Sequence, residues 1–150
     1  MLLPSASLAE FANLGDKRLR LEMMRGCVQA LRKDGDLHFP LLNLITVFLD
    51  GLVAAPKGTN GVRYPLYLKA HFHQLCQALP PEDFYKHYRC KAVHEFGLGV
   101  GFAIGRDSGL QGAYVGMQTV RETGQTVTIL NIDRLASDFL AHIESLIQTL

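Results

Sequence analysis

Residues 39–55 limit more than any other segment what this chain can fold into. The run reads FPLLNLITVFLDGLVAA, and Asp50 is its one charged side chain. A membrane span needs about 20 consecutive apolar residues, and this run is both shorter and interrupted by Pro40, Asn43 and Gly51. It therefore predicts a buried helix that packs on several sides. A carboxylate inside such a helix needs a partner, so Asp50 also predicts a cationic group nearby.

Four further helices are predicted from capping signals and from the helical spacing of apolar residues. These four helices cover residues 16–33, 64–79, 82–96 and the segment after Asp133, and they join the apolar helix at 40–55. Asp16 and Asp133 are the predicted N-caps of the first and last helices. The chain has no internal repeat and no Pro- or Ser-rich linker, so residues 1–150 are expected to form a single domain. The predicted core is therefore a bundle of four to five helices.

The stretch between Gly97 and Gly124 differs in composition from the rest. It contains eight glycines. Segments rich in β-branched residues, or with partly alternating apolar and polar residues, lie in and after it at 100–104, 113–120 and 126–132. They predict short antiparallel strands joined by turns at 107–109 and 122–124. The predicted fold class is therefore mainly α, a helical bundle with a small antiparallel β-hairpin or meander, at 100–132, as an appendage before the C-terminal helix.

Charge and cysteine content limit the function classes. The formal net charge is +1, whereas domains that grip long nucleic acids are usually strongly basic, so any nucleic-acid contact is expected to be local. Hydrophobic residues make up 48% and charged residues 19% of the chain, which excludes a disordered protein. The three cysteines are widely separated, which is typical of a cytoplasmic protein without disulfides. The N-terminal segment has no basic residues followed by a long apolar run, so no signal peptide is expected.

The predicted helix at 82–96 carries the one readable chemical pattern, Arg89 five residues before His94. On a helical wheel the two Cα positions are about 140° apart, so they share no face. The long arginine side chain could still bend to the groove beside His94, and a second subunit could close that groove. His87, Lys91 and His94 lie within about 60° of one another and form a cationic stripe.

This pair of residue types suits cleavage of an RNA phosphodiester without a metal ion. A histidine with a pKa near neutrality can take a proton from the ribose 2′-hydroxyl or give one to the leaving oxygen. An arginine beside it can hold the phosphate in bidentate fashion and stabilise the charge that grows in the transition state. DNA lacks the internal nucleophile, so RNA is the substrate that this chemistry predicts.

The stretch YRCKAVH at 88–94 resembles the Arg-x(4–6)-His motif of the HEPN superfamily, a group of small α-helical domains that includes many metal-independent endoribonucleases. The longer phrase FYKHYRCKAVHEF, with a Gly-rich strand pair and a closing helix after it, is similar to a group of uncharacterised bacterial proteins. The resemblance implies Arg89 and His94 as the catalytic pair of a homodimer whose adjacent motif helices form a composite site. It also implies an RNA-cleaving or RNA-binding role in a toxin–antitoxin, defence or stress system.

Two other interpretations remain open from the sequence. Arg89 could be structural, paired with a carboxylate such as Asp50 or Glu95, and the chain would then be a non-catalytic dimeric interaction module that contacts a protein partner through its strands. A small-molecule pocket between the second and fourth predicted helices is the other interpretation. We expect Asp50 to lie near Arg89 or His94. The residues expected to support the catalytic pair are Asp50, His87, Lys91 and Glu95.

The histidines do not predict a metal site, and no cofactor is expected. His71 and His73 are two residues apart, so on a helix their side chains point about 200° apart and cannot share an ion. His87 and His94 share a face but are separated by about 10 Å of helix rise, which is again too far for one ion.

Overall fold

The computed structural model describes residues 16–95 and 97–150 and confirms the mainly α fold class, with a small sheet before the C-terminal helix. In chain order the elements are α1 (Lys17–Arg32), α2 (His38–Val53), α3 (Asn60–His71), α4 (His73–Ala78), α5 (Pro81–Asp83), a π-helix (Phe84–Cys90), α6 (Lys91–Glu95), β1 (Phe102–Gly105), α7 (Asp107–Leu110), β2 (Val115–Thr119), β3 (Thr126–Asn131) and α8 (Ile132–Gln148). The α5, π-helix and α6 segments follow one another without a gap. We call this stretch, residues 81–95, the motif helix.

The first helix, α1, begins at the N-cap that the sequence predicted. The side-chain Oδ1 of Asp16 accepts hydrogen bonds from the backbone N–H groups of Arg18 (2.9 Å) and Leu19 (3.3 Å). Such a cap satisfies donors that the first helical turn leaves unpaired. The expected absence of a signal peptide concerns mainly residues 1–15, which lie outside the described residues, as does Phe96 at the predicted end of the motif helix.

Two helices occupy the region for which the sequence predicted one helix, at 64–79. α3 ends at His71 and α4 begins at His73, with Phe72 between them in a non-helical conformation (φ −127°, ψ 63°). No glycine or proline marks this break. The Phe72 ring is almost fully buried in the core, and the free energy of burying an aromatic ring offsets the interruption of the helix.

The three strands form one mixed sheet in the order β1-β3-β2. β2 pairs antiparallel with β3, as predicted, with Val115 opposite Leu130. β1 pairs parallel with β3, with Phe102 opposite Thr128, so the prediction of antiparallel pairing was wrong for this strand. The cause lies in the connection after β1. The predicted tight turn at 107–109 is the short helix α7, and this longer connection carries β2 past the position that β3 then fills.

Asn131, the last residue of β3, caps α8. Its side-chain oxygen accepts the backbone N–H of Arg134 at 3.1 Å, while its amide nitrogen donates to the Asp107 carboxylate and to the Ala113 carbonyl, both at 2.9 Å. The sequence predicted Asp133 as the cap, but that carboxylate instead accepts the backbone N–H of Asp107 at 2.8 Å. Because an amide donates and accepts at once, Asn131 joins α7, the loop before β2 and α8.

The apolar helix α2 lies at the centre of the core, as its sequence predicted. It contacts α1, α3, α8, the motif helix and β1. Its fully buried hydrophobic side chains are Leu41, Leu42, Ile45 and Leu49. Within residues 16–95 and 97–150, every helix is too short or too polar to cross a bilayer.

The sheet packs into the same core through Tyr88 of the motif helix. Tyr88 is fully buried, and its hydroxyl donates to the carbonyl of Ala103 in β1 (2.9 Å) and lies 3.2 Å from the carbonyl of Thr128 in β3. Leu130 of β3 is also fully buried. The strands are therefore part of the main core, and the expectation of a β appendage was wrong in this respect.

Candidate functional site

Arg89 and Asp50 form a bidentate ion pair between the motif helix and α2. Arg89 Nε lies 3.1 and 3.2 Å from the two carboxylate oxygens of Asp50, and Nη2 lies 2.8 Å from Oδ2. Both side chains are withdrawn from solvent, since that of Arg89 is 9% exposed and that of Asp50 is 25% exposed. The prediction that Asp50 lies near Arg89 or His94 is confirmed for Arg89.

Two tyrosine rings and a thiol complete the surroundings of the guanidinium. Arg89 Cζ lies 5.2 Å from the ring centroid of Tyr85 and 6.0 Å from that of Tyr64. A cation at this distance from a ring is attracted by the electrons of the ring face. The third nitrogen, Nη1, lies 3.6 Å from Cys90 Sγ, which is a weaker acceptor than oxygen. Asp50, Cys90 and the two tyrosine rings thus all contact the guanidinium, and the contact of Nη1 with Cys90 is the weakest hydrogen bond among them.

Hydrogen bonding and charge keep Arg89 ionised in this pocket. Burial by itself lowers the pKa of the guanidinium, but the hydrogen bonds with Asp50 and Cys90 and the negative charge of Asp50 outweigh burial, so the net pKa is raised. Burial first, and the Asp50 charge second, raise the pKa of the Tyr64 phenol. Arg89 is therefore charged and Tyr64 neutral at physiological pH.

The motif helix is π-helical over Phe84–Cys90, the stretch that includes Arg89. In a π turn the hydrogen bond spans five residues instead of four, and such stretches are rare and occur frequently at functional sites. Phe84 and Arg89 are five residues apart and both buried, whereas in a regular α-helix two such positions would be about 140° apart. The π-helix therefore contributes to turning Arg89 toward α2 and its carboxylate.

His94 lies in α6 and is exposed, so it does not share a face with the buried Arg89, as the helical wheel predicted. The guanidinium is bound to Asp50 and does not bend toward His94. Lys91 Nζ and Glu95 Oε1 pair with each other across one turn at 2.9 Å, so Glu95 is not the partner of Arg89. The motif thus consists of a buried arginine and an exposed histidine.

His87, which was expected in a cationic stripe, packs against the sheet instead. Its ring stacks on Phe102 of β1 with centroids 4.1 Å apart and planes 10° apart. Its Nδ1 is buried and has no hydrogen-bond partner among the described residues. The backbone N–H of Gly99 donates to the His87 carbonyl at 3.0 Å. His87 therefore anchors the chain where it returns from the motif helix to β1.

We expect Gly99→Ala to lower the free energy of unfolding by roughly 2 kcal/mol. A Cβ at this position would lie 3.0 Å from Cβ and Cγ of His87 and closer still to its Nδ1, so ring and loop cannot both keep their places. Gly109→Ala is the matched control, because no atom lies within 4 Å of a Cβ there. Urea denaturation compares the two variants, and equal stabilities would contradict the close packing.

Two open clefts lie away from the motif helix. One, of about 590 Å³, is lined by Gln29, Arg32, Lys33 and Leu140. The other, of about 330 Å³, is lined by Gln74, Gln77, Ala78, Tyr114 and Arg134. Neither cleft is the pocket between the second and fourth predicted helices that a small-molecule function requires. In the part of the chain that the structure describes, no three His, Cys, Asp or Glu side chains come together as metal ligands would.

No protein-family model, no curated protein and no solved structure matches this chain. The resemblance to the HEPN superfamily therefore rests on the motif at 88–94 and its sequence context. What the molecule does has to follow from its own residues and their geometry.

Tyr64 and Tyr85, which enclose the guanidinium, were not singled out from the sequence. Tyr85 lies four residues before Arg89, a spacing that brings side chains together on an α-helix, so a signal for it was present. Tyr64 comes from α3 and donates a hydrogen bond to the Thr46 carbonyl at 3.3 Å. Only the fold brings this ring to the motif helix.

Proposed function

We propose that this protein is a HEPN-like, metal-independent endoribonuclease in which Arg89 and His94 act on the RNA phosphodiester. His94 supplies the proton-transfer group, and Arg89 supplies the charge that holds the phosphate. The observation that carries the proposal is the bidentate Asp50–Arg89 pair, which holds a guanidinium in a fixed orientation on the helix that also bears an exposed histidine. Groups held in a fixed orientation lose little entropy when they bind a transition state.

The Nη1 edge of Arg89 is the part of the guanidinium that a phosphate can approach. Nε and Nη2 are taken up by Asp50, whereas the contact of Nη1 is the weak one with Cys90 Sγ at 3.6 Å. Because the Arg89 side chain is 9% exposed, we expect it to contact no more than a small group such as one phosphate oxygen. This supports a local contact with one phosphate and not an extended nucleic-acid-binding surface, and the net charge of +1 agrees with a local contact.

We propose that a second copy of the chain completes a site that uses both residues. Arg89 faces α2 while His94 is exposed on another side of the motif helix, so we pair Arg89 of one protomer with His94 of its partner. The proposed enzyme is thus a homodimer with a composite site. We place it in the bacterial cytoplasm, as an RNA-cleaving or RNA-binding component of a toxin–antitoxin, defence or stress system.

Cleavage assays on RNA with EDTA present test this proposal. Wild-type protein should cleave RNA, and His94→Ala should lower the rate constant at least ~100-fold, because general acid–base catalysis contributes about 10²–10⁴-fold. The matched control is His73→Ala, which removes another exposed histidine outside the motif helix and should leave the rate unchanged.

Circular dichroism establishes that each variant is folded. The His94 ring is exposed, so His94→Ala should melt like the wild type, and a loss of activity then reports on chemistry. Arg89→Ala should also abolish cleavage, but it is a secondary test because it removes a buried ion pair. Cleavage that persists in His94→Ala, or a wild-type protein that cleaves no RNA, would contradict the proposal.

A non-catalytic dimeric interaction module is the second candidate, and the burial of Arg89 favours it. Two of the three guanidinium nitrogens are bound to Asp50, so a structural role alone can account for this arginine. β2 is an edge strand without charged residues, and its Met117 is 72% exposed, which suits the addition of a partner strand. If the wild type cleaves no RNA and Met117→Lys abolishes self-association in light scattering, this candidate replaces the enzyme.

A further inference from the structure

Four aromatic rings meet where the end of α3 packs against α8. We call this group, which consists of Tyr67, His71, Phe72 and His142, the ring cluster. The His71 and His142 centroids are 4.7 Å apart, and the Tyr67 centroid lies 4.5 Å from that of His71 and 5.6 Å from that of His142. None of these residues belongs to the motif helix, so the proposed ribonuclease site leaves the ring cluster unexplained.

The His142 ring is held in a fixed orientation by its neighbours. Tyr67 Oη and His142 Nε2 are 2.6 Å apart, and the Phe72 ring packs edge-on at 5.2 Å between centroids. This hydrogen bond engages Nε2 and leaves Nδ1 as the nitrogen for another partner. Histidines that bind metal ions usually show this arrangement, with one ring nitrogen on the metal and the other hydrogen-bonded to an oxygen.

The separation of the two imidazoles matches that of a pair bound to one ion. With metal–nitrogen bonds of about 2.0–2.1 Å, two rings at a tetrahedral angle have centroids roughly 5 Å apart. The observed separation of His71 and His142 is 4.7 Å. His71 is exposed, so solvent can reach this side of the ring cluster and supply further ligands.

Both rings are chemically suited to bind a metal. Ligation uses the lone pair of a neutral imidazole nitrogen, and each of the two rings offers one such nitrogen. Imidazole nitrogens favour zinc, copper and nickel over magnesium and calcium.

We propose that His71 and His142 form a two-histidine site for a divalent transition-metal ion of the Zn²⁺ or Cu²⁺ class, with Tyr67 positioning the His142 ring and water completing the coordination. The bound ion links the C-terminal end of α3 to α8. The sequence argument against a metal considered histidines that are close in the chain, such as His71 with His73. His142 is brought to His71 only by the packing of α8.

Titration of the purified protein with Zn²⁺ by isothermal calorimetry tests this site. The wild type should bind one equivalent, and His71→Gln should bind at least ~10-fold more weakly, since even the loss of a positioning partner costs about 10–100-fold in metal affinity. Tyr67→Phe should also weaken binding. His73→Gln is the matched control, because this exposed histidine lies two residues from His71, and it should bind like the wild type.

Electron paramagnetic resonance with Cu²⁺ gives an independent reading of the ligands. The wild-type spectrum should show coupling to two imidazole nitrogens, and His71→Gln should show coupling to one. His71 is exposed, so this variant should fold even if His142→Gln does not. A wild type that binds no Zn²⁺, unchanged affinity in His71→Gln, or an equal loss in His73→Gln would overturn the proposal. Because RNA cleavage is assayed with EDTA, the two proposals can fail separately.

Discussion

Asp50→Ala is expected to lower the free energy of unfolding by roughly 3 kcal/mol, because it leaves the charge of Arg89 buried without a partner. The Arg89 side chain is 9% exposed, and two of its nitrogens hydrogen-bond to the Asp50 carboxylate. Neither Tyr64 nor Tyr85 can replace that carboxylate, since their ring faces attract a cation only weakly. Urea denaturation followed by circular dichroism measures the change.

The control for Asp50→Ala is Glu95→Ala, which removes a carboxylate of the motif helix. Glu95 pairs with Lys91 at 2.9 Å, but its side chain is 60% exposed, and exposed pairs of this kind contribute about 0.5 kcal/mol. The double variant Asp50→Leu/Arg89→Met should recover most of the lost stability, because apolar groups of similar size can replace a buried ion pair. If Asp50→Ala costs no more than Glu95→Ala, the pair does not stabilise the fold.

Tyr88→Ala is expected to lower the free energy of unfolding by about 4 kcal/mol, which is typical of removing a fully buried ring. The Tyr88 ring stacks on Phe84 at 5.8 Å and meets Phe102 edge-on at 5.6 Å. It is also the link between the motif helix and the sheet, through the carbonyls of Ala103 and Thr128. Urea denaturation should show the loss, and near-ultraviolet circular dichroism should show that the aromatic packing changes.

Tyr88→Phe separates the ring from the hydroxyl. This variant keeps the packing but leaves the Ala103 carbonyl without its 2.9 Å hydrogen bond. The free energy of unfolding should therefore fall by about 1–2 kcal/mol. Backbone amide exchange in β1 and β3 should become faster in this variant, whereas exchange in α1 should change less. A Tyr88→Phe protein as stable as the wild type would mean that the hydroxyl contributes nothing to the attachment of the sheet.

The parts of the fold that depend on neighbouring residues were predictable from the sequence. Asp16 caps α1 through backbone groups two and three residues away, and the turn between β2 and β3 follows from 122–124. The parts that depend on distant residues were not. β1 pairs with a strand that comes after β2, and the break at Phe72 reflects the burial of its ring.

The candidate site was predictable to the same extent. Asp50 in an apolar helix implied a cationic partner on physical grounds, and Arg89 is that partner. The burial of Arg89 was not predictable, because it depends on Tyr64 from α3 and on a π-helical stretch. No residue type in the sequence indicates that stretch. The pairing of His71 with His142 was hidden for the same reason, since their proximity exists only in the folded chain.

The π-helical stretch before Cys90 also determines where the chain can change in length. A π turn is in effect an α turn that contains one inserted residue, so a deletion between Phe84 and Arg89 would restore α spacing and leave Arg89 opposite Asp50. A deletion in α6 has no such spare residue and would rotate His94 by about 100° relative to Arg89. Deletion of one residue should therefore be tolerated better before the arginine than in α6.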